Sequence, residues 1–347
     1  MQNDSPAIFV EDLRKVYGSK VAVAGLTLTV EQGEVFGFLG PNGAGKTTTI
    51  KMMNGLVKPD SGRMSILGRP LGDREVRRRI GFLPEHFRFH EWLRAGEFLD
   101  FHGSLYGLSR AERRRRIPEA LELVGLEGRT ESRLKTFSKG MLQRIGIAQA
   151  VIADPLLVFL DEPTSALDPL GRRDVRDIIR TLQGRGTTVF LNSHLLSEVE
   201  HVCDRVAIVK EGHVAALGSL ASLLGGEHVV DVYAADMTPE ALARVGERYK
   251  LVGPAATGAS SPGRPVSVPA ATTSIRPDLP DDAQQDGTSL LVAARTDERF
   301  SVALPEAETP ELVEMLLQGG AKVHELIPRR HSLEDLFVDI VQVGGDR

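Results

Sequence analysis

The sequence has only one cysteine, no excess of positive charge and no long apolar run. The single thiol, Cys203, excludes an internal disulfide and is typical of a protein in a reducing compartment. The net charge of -5 argues against a main role in nucleic-acid binding, which usually needs a basic surface. The apolar run at residues 156–160 is far shorter than the ~20 residues that cross a bilayer, so we expect no membrane span. The polar start, Met1 to Pro6, does not resemble a signal peptide.

The length of the chain, 347 residues, is sufficient for two domains, each with its own core. The first predicted domain covers residues 1–225. Short β-rich runs alternate there with helical stretches, which predicts an α/β fold with helices on both faces of a sheet. Between residues 85 and 136 the pattern becomes helical, with predicted helices at 94–106 and 109–124. The second of these begins with the capping-box spacing of Ser109 and Glu112. This region is a predicted helical subdomain.

Residues 226–347 form the second predicted domain. Their runs predict strands at 229–234, near Leu251, at 290–295 and at 322–328, with helices at 239–249 and 310–318. This order is that of a small α+β domain of the βαββαβ, ferredoxin-like kind. Residues 253–289 contain six prolines and no aromatic residue, so we expect a disordered insert within this domain. The amphipathic segment 330–340 is expected to pack on the protein's own fold.

A phosphate-binding pattern, G-x-x-x-x-G-K-[ST], follows the apolar run at residues 35–39 and precedes a helical run. Its glycines allow backbone N–H groups to surround phosphate oxygens at a helix N-terminus. In this pattern the lysine reaches the β- and γ-phosphates, and the hydroxyl that follows it binds Mg²⁺. We expect nucleotide phosphates to contact Gly40, Pro41, Asn42, Gly43, Ala44, Gly45, Lys46, Thr47 and Thr48.

Two adjacent carboxylates end the apolar run at residues 156–160. Asp161 is expected to hold Mg²⁺, and Glu162 is expected to polarise the attacking water as a general base. A strand that ends in a solvated acidic turn is the alternative, which the upstream phosphate-binding pattern disfavours.

The segment Phe137-Ser138-Lys139-Gly140-Met141-Leu-Gln143-Arg144 resembles the signature sequence of ATP-binding cassette (ABC) ATPases. Together with the two motifs above, it is similar to the P-loop nucleotide-binding domain of ABC transporters over residues 7–218. The resemblance implies that Tyr17 stacks on adenine, that Glu85 lies where the family usually has glutamine, and that His194 is the switch histidine. It also implies that Ser138 and Gly140 contact the γ-phosphate held by a second subunit. Glu85 can still contact Mg²⁺, beside Thr47 and Asp161.

The variants Glu85, Lys139 and Met141 resemble the subfamily that pairs with ABC-2 type permeases, which implies export. The resemblance implies the cofactors ATP and Mg²⁺, and an ATP phosphohydrolase activity. The expected partners are a second ATPase subunit, in a homodimer, and a separate permease, with no nucleic acid. The expected location is cytoplasmic, on the inner face of the cell membrane. Two alternatives stay open: a soluble ABC protein that acts on nucleic acid or translation, and a non-catalytic nucleotide sensor. One phosphate loop without sustained heptads disfavours the first, and Glu162 with His194 disfavours the second.

Overall fold

The computed structural model describes residues 5–70, 72–165, 167–224, 228–253, 296–329 and 332–342. It divides into two compact units, of which unit 1 comprises Met1–Gly225 with Ser332–Arg347, and unit 2 comprises Gly226–His331. Among the described residues, no helix has both the length and the apolar character needed to cross a membrane. The elements of each unit are given below.

Unit 1 contains two sheets and several helices before the chain enters unit 2. In chain order its elements are β1 (Ile8–Tyr17), β2 (Lys20–Val30), β3 (Val35–Leu39), α1 (Lys46–Met53), β4 (Ser61–Ile66), β5 (Arg69–Pro70), α2 (Arg74–Arg78), β6 (Ile80–Leu83), α3 (Ala95–Leu105), α4 (Arg110–Leu123), α5 (Lys139–Val151), β7 (Leu157–Asp161), α6 (Pro169–Gly184), β8 (Thr188–Asn192), α7 (Leu196–Val202), β9 (Arg205–Lys210), β10 (His213–Ser219) and α8 (Leu220–Leu224).

The central sheet of unit 1 has the strand order β10-β9-β3-β8-β7-β6. All neighbouring strands of this sheet pair in parallel, except that β9 and β10 pair in antiparallel orientation. Successive residues of β3 enter different cores: Val35 and Leu39 pack with α5 and α6, whereas Phe36 and Phe38 pack with α1 and the antiparallel sheet β2-β1-β4-β5. Burial on both faces explains the near-continuous apolar character of these strands. The carboxyl ends of β3, β7 and β8 share one edge, where parallel α/β sheets bind ligands.

The helical subdomain is confirmed, with α3 and α4 close to the predicted bounds. Ser109 is the N-cap of α4, and the reciprocal bonds of its capping box are both present: the Ser109 N–H donates to Glu112 at 2.7 Å, and the Glu112 N–H donates to Ser109 Oγ at 3.3 Å. Phe98 and Leu121 are buried in the core that also contains α5. The subdomain is therefore attached to the helix that begins within the signature sequence.

The described part of unit 2 contains a four-stranded antiparallel sheet and two helices. Its elements are β11 (His228–Met237), α9 (Pro239–Arg248), β12 (Lys250–Gly253), β13 (Thr296–Leu304), α10 (Thr309–Gln318) and β14 (Lys322–Arg329). The strand order β12-β13-β11-β14 is that of a ferredoxin-like βαββαβ fold, which confirms the predicted fold class. Val245 of α9 and Leu312 of α10 are buried against Val232 and Val302 of the sheet. The strand predicted at 290–295 and the insert predicted to 289 lie outside the described residues.

The last described helix, α11 (Leu333–Gln342), belongs to unit 1. Sequence patterns assigned the whole of 226–347 to the second domain, whereas the structure groups Ser332–Arg347 with unit 1. The reason is the apolar face of the helix. Leu333 is fully buried in the core of unit 1, and Leu336, Phe337 and Ile340 pack against that core.

Candidate nucleotide-binding site

The phosphate-binding pattern forms a tight loop between the end of β3 and the start of α1. Gly45 precedes α1 with a φ of 98°, and a Cβ there would lie 2.3 Å from the Ala22 carbonyl oxygen. A Cβ on Gly40 would lie 2.3 Å from the Val209 carbonyl oxygen. Only glycine permits this backbone path, because neither carbonyl can withdraw as a flexible side chain can. The loop therefore presents backbone N–H groups at the N-terminus of α1, a geometry suited to phosphate.

Lys46 folds back over this loop. Its ammonium donates to the Gly40 carbonyl at 2.6 Å and to the Pro41 carbonyl at 3.2 Å. Burial lowers the pKa of the Lys46 ammonium from its ordinary value. Three carboxylates oppose that shift in pKa, those of Glu162, Asp161 and Glu85. The predicted phosphate loop and the predicted acidic residues thus share one electrostatic environment in the structure.

A cavity of about 230 Å³ lies beside the loop and could hold the nucleotide. Tyr17, which is 48% exposed, contributes to its wall at the end of β1. An exposed aromatic ring at the cavity wall can stack on a base. The residues around the cavity are Tyr17, Lys20, Ala22, Asn42, Gly43, Gly45, Lys46, Thr47 and Thr48.

Asp161 is the last residue of β7 and is almost completely buried, at 3% exposed. The Asn192 side-chain amide, at the end of β8, donates to Asp161 Oδ1 at 2.6 Å. Burial raises the pKa of Asp161, and the Asn192 hydrogen bond and the Lys46 charge lower it. A buried carboxylate whose ionised form is disfavoured would gain from a cation brought close to it.

Glu162 is held in an uncommon backbone conformation, with a φ of 56°. For a residue with a side chain this left-handed region costs about 1 kcal/mol or more, and such strain is concentrated at functional sites. The Glu162 N–H donates to the Asn192 carbonyl at 2.9 Å, which ties the turn to β8. His194 Nδ1 donates to Glu162 Oε2 at 2.6 Å. The turn thereby directs the carboxylate toward the histidine that follows the neighbouring strand.

The protonation of Glu162 depends on burial and on His194. Burial is the larger influence and raises the pKa of Glu162, whereas the charge and hydrogen bond of His194 lower it. A raised pKa makes this carboxylate a stronger base than an exposed glutamate, and His194 favours the ionised form that can accept a proton. The pair therefore has the chemistry of a general base with an orienting partner.

Glu85 follows β6, two residues after Leu83, and its side chain is 44% exposed. Its charge raises the pKa of both Asp161 and Lys46, which locates it near the loop and the end of β7. Oxygen atoms of Thr47, Asp161 and Glu85 are donors that Mg²⁺ prefers. Among the described residues no group of three or more histidine, cysteine or acidic side chains could hold a metal ion by itself. The remaining ligands of a cation held here would be water or phosphate oxygens.

Replacing Glu85 by glutamine is expected to shift the Mg²⁺ dependence of ATP hydrolysis more than the affinity for ATP. The substitution removes a negative charge that repels the triphosphate and attracts the cation, and these two effects on nucleotide affinity oppose each other. Phosphate release is measured over a Mg²⁺ titration, and ATP affinity is measured separately with excess Mg²⁺. An unchanged titration midpoint would argue against a role of Glu85 near the cation.

The signature residues lie at the start of another helix. Ser138 precedes α5 and its hydroxyl accepts from the Met141 N–H at 3.2 Å, so the serine caps the helix. A Cβ on Gly140 would lie 3.8 Å from Leu167, so the side facing Leu167 has room for a small side chain. Neither Ser138 nor Gly140 belongs to the residues around the cavity at the phosphate loop. Within one chain the structure thus brings together the loop, Asp161, Glu162, Glu85 and His194.

Sequence reasoning missed two residues of the site. Asn192 has no role in the sequence-based prediction, yet its side-chain amide donates to Asp161 and its carbonyl accepts from the Glu162 N–H. An amide at the end of an apolar strand, two residues before His194, was the available signal. Lys20 lies at the cavity through the β1–β2 hairpin, where Tyr17 pairs with Lys20. Cross-strand pairing of this kind is not visible in a linear pattern.

Comparison with known proteins adds independent information. The family model described as ABC transporter matches residues 23–165. An uncharacterized ABC transporter ATP-binding protein of Nostoc sp. (strain PCC 7120) is 47% identical over an alignment of 240 residues that covers 67% of this chain and 72% of that protein. Nod factor export ATP-binding protein I of Paraburkholderia xenovorans is 35% identical over 71% of this chain and 84% of its own length.

A solved structure, the dimeric post-hydrolysis state of an ATP-binding cassette bound to ADP and Pi, has a TM-score of 0.56 and 27% identity. The match covers 61% of this chain and 98% of that one. The phosphate loop after β3, the acidic end of β7 and the helical subdomain define a nucleotide-binding domain of the ATP-binding cassette class. The chain belongs to the family of ABC transporter ATP-binding proteins. The predicted resemblance is thereby confirmed.

Proposed function

We propose that this protein hydrolyses ATP with Mg²⁺ and drives a separate permease, in the direction of export. The observation that carries the proposal is the hydrogen bond between His194 and the buried Glu162, in the same electrostatic environment as Lys46 of the phosphate loop. A nucleotide-sensing module would need the loop and the cavity alone. A buried glutamate in a strained turn, oriented by a histidine, is suited to activating water.

In the proposed reaction a water molecule attacks the γ-phosphorus of ATP. Glu162 accepts a proton from that water, the bond between the γ-phosphorus and the β–γ bridging oxygen breaks, and ADP and phosphate leave. Lys46 and the N-terminus of α1 neutralise charge on the phosphate oxygens, and His194 orients Glu162. Mg²⁺, held by Thr47 and Asp161 with Glu85 nearby, would supply further neutralisation of the phosphate charge. Tyr17 would stack on the adenine.

Two copies of the chain are proposed to pair head to tail around two ATP molecules. The N-terminus of α5, with Ser138 and Gly140, is the proposed second anion site, and neither residue lies around the cavity of its own chain. A second copy would bring this helix end to the γ-phosphate bound at Lys46. The dimeric state of the ADP-bound and Pi-bound structural relative supports such an arrangement. Loss of the γ-phosphate would then open the dimer, which is a ligand-coupled two-state change.

Export through a separate permease of the ABC-2 type, from the cytoplasmic face of the membrane, is the proposed use of this cycle. One relative is described as a Nod factor export protein, which supports the direction. The permease would dock on the helical subdomain, where Trp92 is 70% exposed, Leu105 68% and Phe101 46%. Exposed apolar side chains in one subdomain are typical of an interaction surface. A nucleic-acid-acting relative would need a basic surface, and the net charge is -5.

The emission of Trp92 is expected to change when the permease is added, because Trp92 is the only tryptophan and is exposed in the subdomain. The measurement is the fluorescence spectrum of the ATPase mixed with vesicles that contain a tryptophan-free variant of the permease. Protein-free vesicles and the Trp92→Phe variant provide the two background signals. A spectrum unaffected by the permease, in a complex shown to assemble, would exclude docking at this surface.

A further inference from the structure

The helix α11 is fixed to unit 1 at both of its ends by charged side chains of opposite sign. At its start, the Glu200 carboxylate accepts a hydrogen bond from the Leu333 N–H. At its end, the Lys210 ammonium donates to the carbonyls of Ile340 at 2.8 Å and Val341 at 2.9 Å. The first N–H groups and the last carbonyls of a helix have no partner within the helix. A carboxylate at the N-terminus and an ammonium at the C-terminus also match the helix dipole, so α11 is held in one orientation.

The negative contact belongs to the helix that follows the switch histidine in the chain. Glu200 lies on α7, which begins two residues after His194. Helix α7 is anchored by Val199 in the core, and α11 packs directly against it. Because α7 has only seven residues, it can bend little, and a displacement at Glu200 would also move His194. His194 in turn donates to Glu162 at 2.6 Å.

The positive contact belongs to the segment that supports the phosphate loop. Lys210 is the last residue of β9, next to Val209, whose carbonyl lies against Gly40. Two residues after Lys210, the Gly212 N–H donates to the Ala44 carbonyl of the loop at 3.1 Å. The carbonyls at the end of α11 are thus bound by the same turn that packs on the phosphate loop.

Unit 2 is an insertion in the chain between α8 and α11, both of which pack on the core of unit 1. The two helices also pack against each other. Unit 2 is thus flanked in the chain by two helices that belong to unit 1. Of these two helices, α11 has direct hydrogen bonds to α7 and β9. It can therefore influence both His194, through α7, and the phosphate loop, through the end of β9.

We propose that Glu200 and Lys210 are positioning residues for ATP hydrolysis, which act by seating α11 between the switch helix α7 and the phosphate-loop support at the end of β9. The proposal rests on the ATP hydrolysis proposed above. It gives α11, which follows unit 2 in the chain, an indirect role in the reaction, in addition to the roles proposed for the residues of the site. Neither residue lies around the cavity at the phosphate loop, so the expected effect is on turnover rather than on ATP affinity.

The test compares full-length variants that loosen one end of α11. Glu200→Ala and Lys210→Met are each expected to lower kcat about fivefold with the KM for ATP within about twofold of the unaltered chain. Glu200→Gln keeps an acceptor oxygen and Lys210→Arg keeps a cation, so both are expected to recover most of the rate. Matched controls are Glu119→Ala, which removes the exposed ion pair with Arg115, and Lys58→Met at an exposed lysine.

Hydrogen exchange of the α7 amides provides a second readout that needs no hydrolysis. Exchange is expected to be faster in Glu200→Ala and Lys210→Met than in the controls. Unchanged kcat, a fall in kcat shared with the controls, or unchanged exchange in α7 would overturn the positioning role. Absence of hydrolysis in the unaltered chain would instead contradict the proposed function, so the two failures are distinguishable.

Discussion

Replacing Glu162 by glutamine is expected to lower the rate of ATP hydrolysis by about 100-fold or more, with ATP binding retained. The carboxylate is the group proposed to accept a proton from water, and an amide of the same shape cannot accept it. His194 can still donate to the amide oxygen, so the turn at Glu162 and the phosphate loop should keep their conformation. Because the γ-phosphate is then not removed, the ATP-bound dimer should accumulate.

Phosphate release and equilibrium ATP binding are measured on the same preparation, with dimer formation followed by light scattering. Glu34→Gln is the matched control, since Glu34 is also a mostly buried glutamate whose pKa burial raises, and it is paired with Arg205 beyond the site. Its rate is expected to stay within about twofold of the unaltered chain, as for changes outside a site. Hydrolysis by Glu162→Gln within a few-fold of the unaltered rate would refute the role of Glu162.

Replacing Gly140 by aspartate is expected to abolish hydrolysis, also by about 100-fold or more, without unfolding the protein. A carboxylate in the first turn of α5 is favourable for the helix dipole, and the nearest atom to a Cβ there is 3.8 Å away. The same carboxylate would repel the γ-phosphate that a second copy presents. Binding of ATP to the separate chain should be retained, because Gly140 lies outside the cavity at the phosphate loop.

The control for this prediction is Gly140→Ala, which adds a Cβ at an ordinary contact distance and no charge. It is expected to keep hydrolysis within a few-fold, apart from small backbone effects of the glycine replacement. Phosphate release and melting temperature are compared for both variants. If Gly140→Asp were as active as the unaltered chain, the N-terminus of α5 would not be part of the hydrolytic site.

Local motifs made most of the candidate site predictable from the sequence. The loop from Gly40 to Thr48 and the pair Asp161 and Glu162 follow apolar strands directly, so strand order alone brings them to one sheet edge. The pattern of strands and helices was also sufficient for the ferredoxin-like unit, because each element has its own periodicity. What these predictions share is that each depends on residues close together in the chain.

Contacts between distant segments were not predictable in the same way. Asn192 is linked to Asp161 across 31 positions, and Lys210 to Ile340 across 130. The amphipathic pattern of α11 predicted that it would pack on the protein, but not that it would return to unit 1. Its partners, Glu200 and Lys210, have no feature in the sequence that separates them from other surface charges. Such side chains acquire a role only through the tertiary structure.

The central claim is that each hydrolytic site is built from the phosphate loop of one copy and the signature helix of another. Its most direct test mixes Lys46→Ala chains, which lack the phosphate-loop ammonium, with Gly140→Asp chains, each inactive alone. In a mixed dimer, one of the two sites combines an intact Lys46 with an intact Gly140. We expect the equimolar mixture to release phosphate at up to about a quarter of the unaltered rate, since half of randomly formed dimers carry one intact site. A mixture as inactive as its two components would contradict the head-to-tail site.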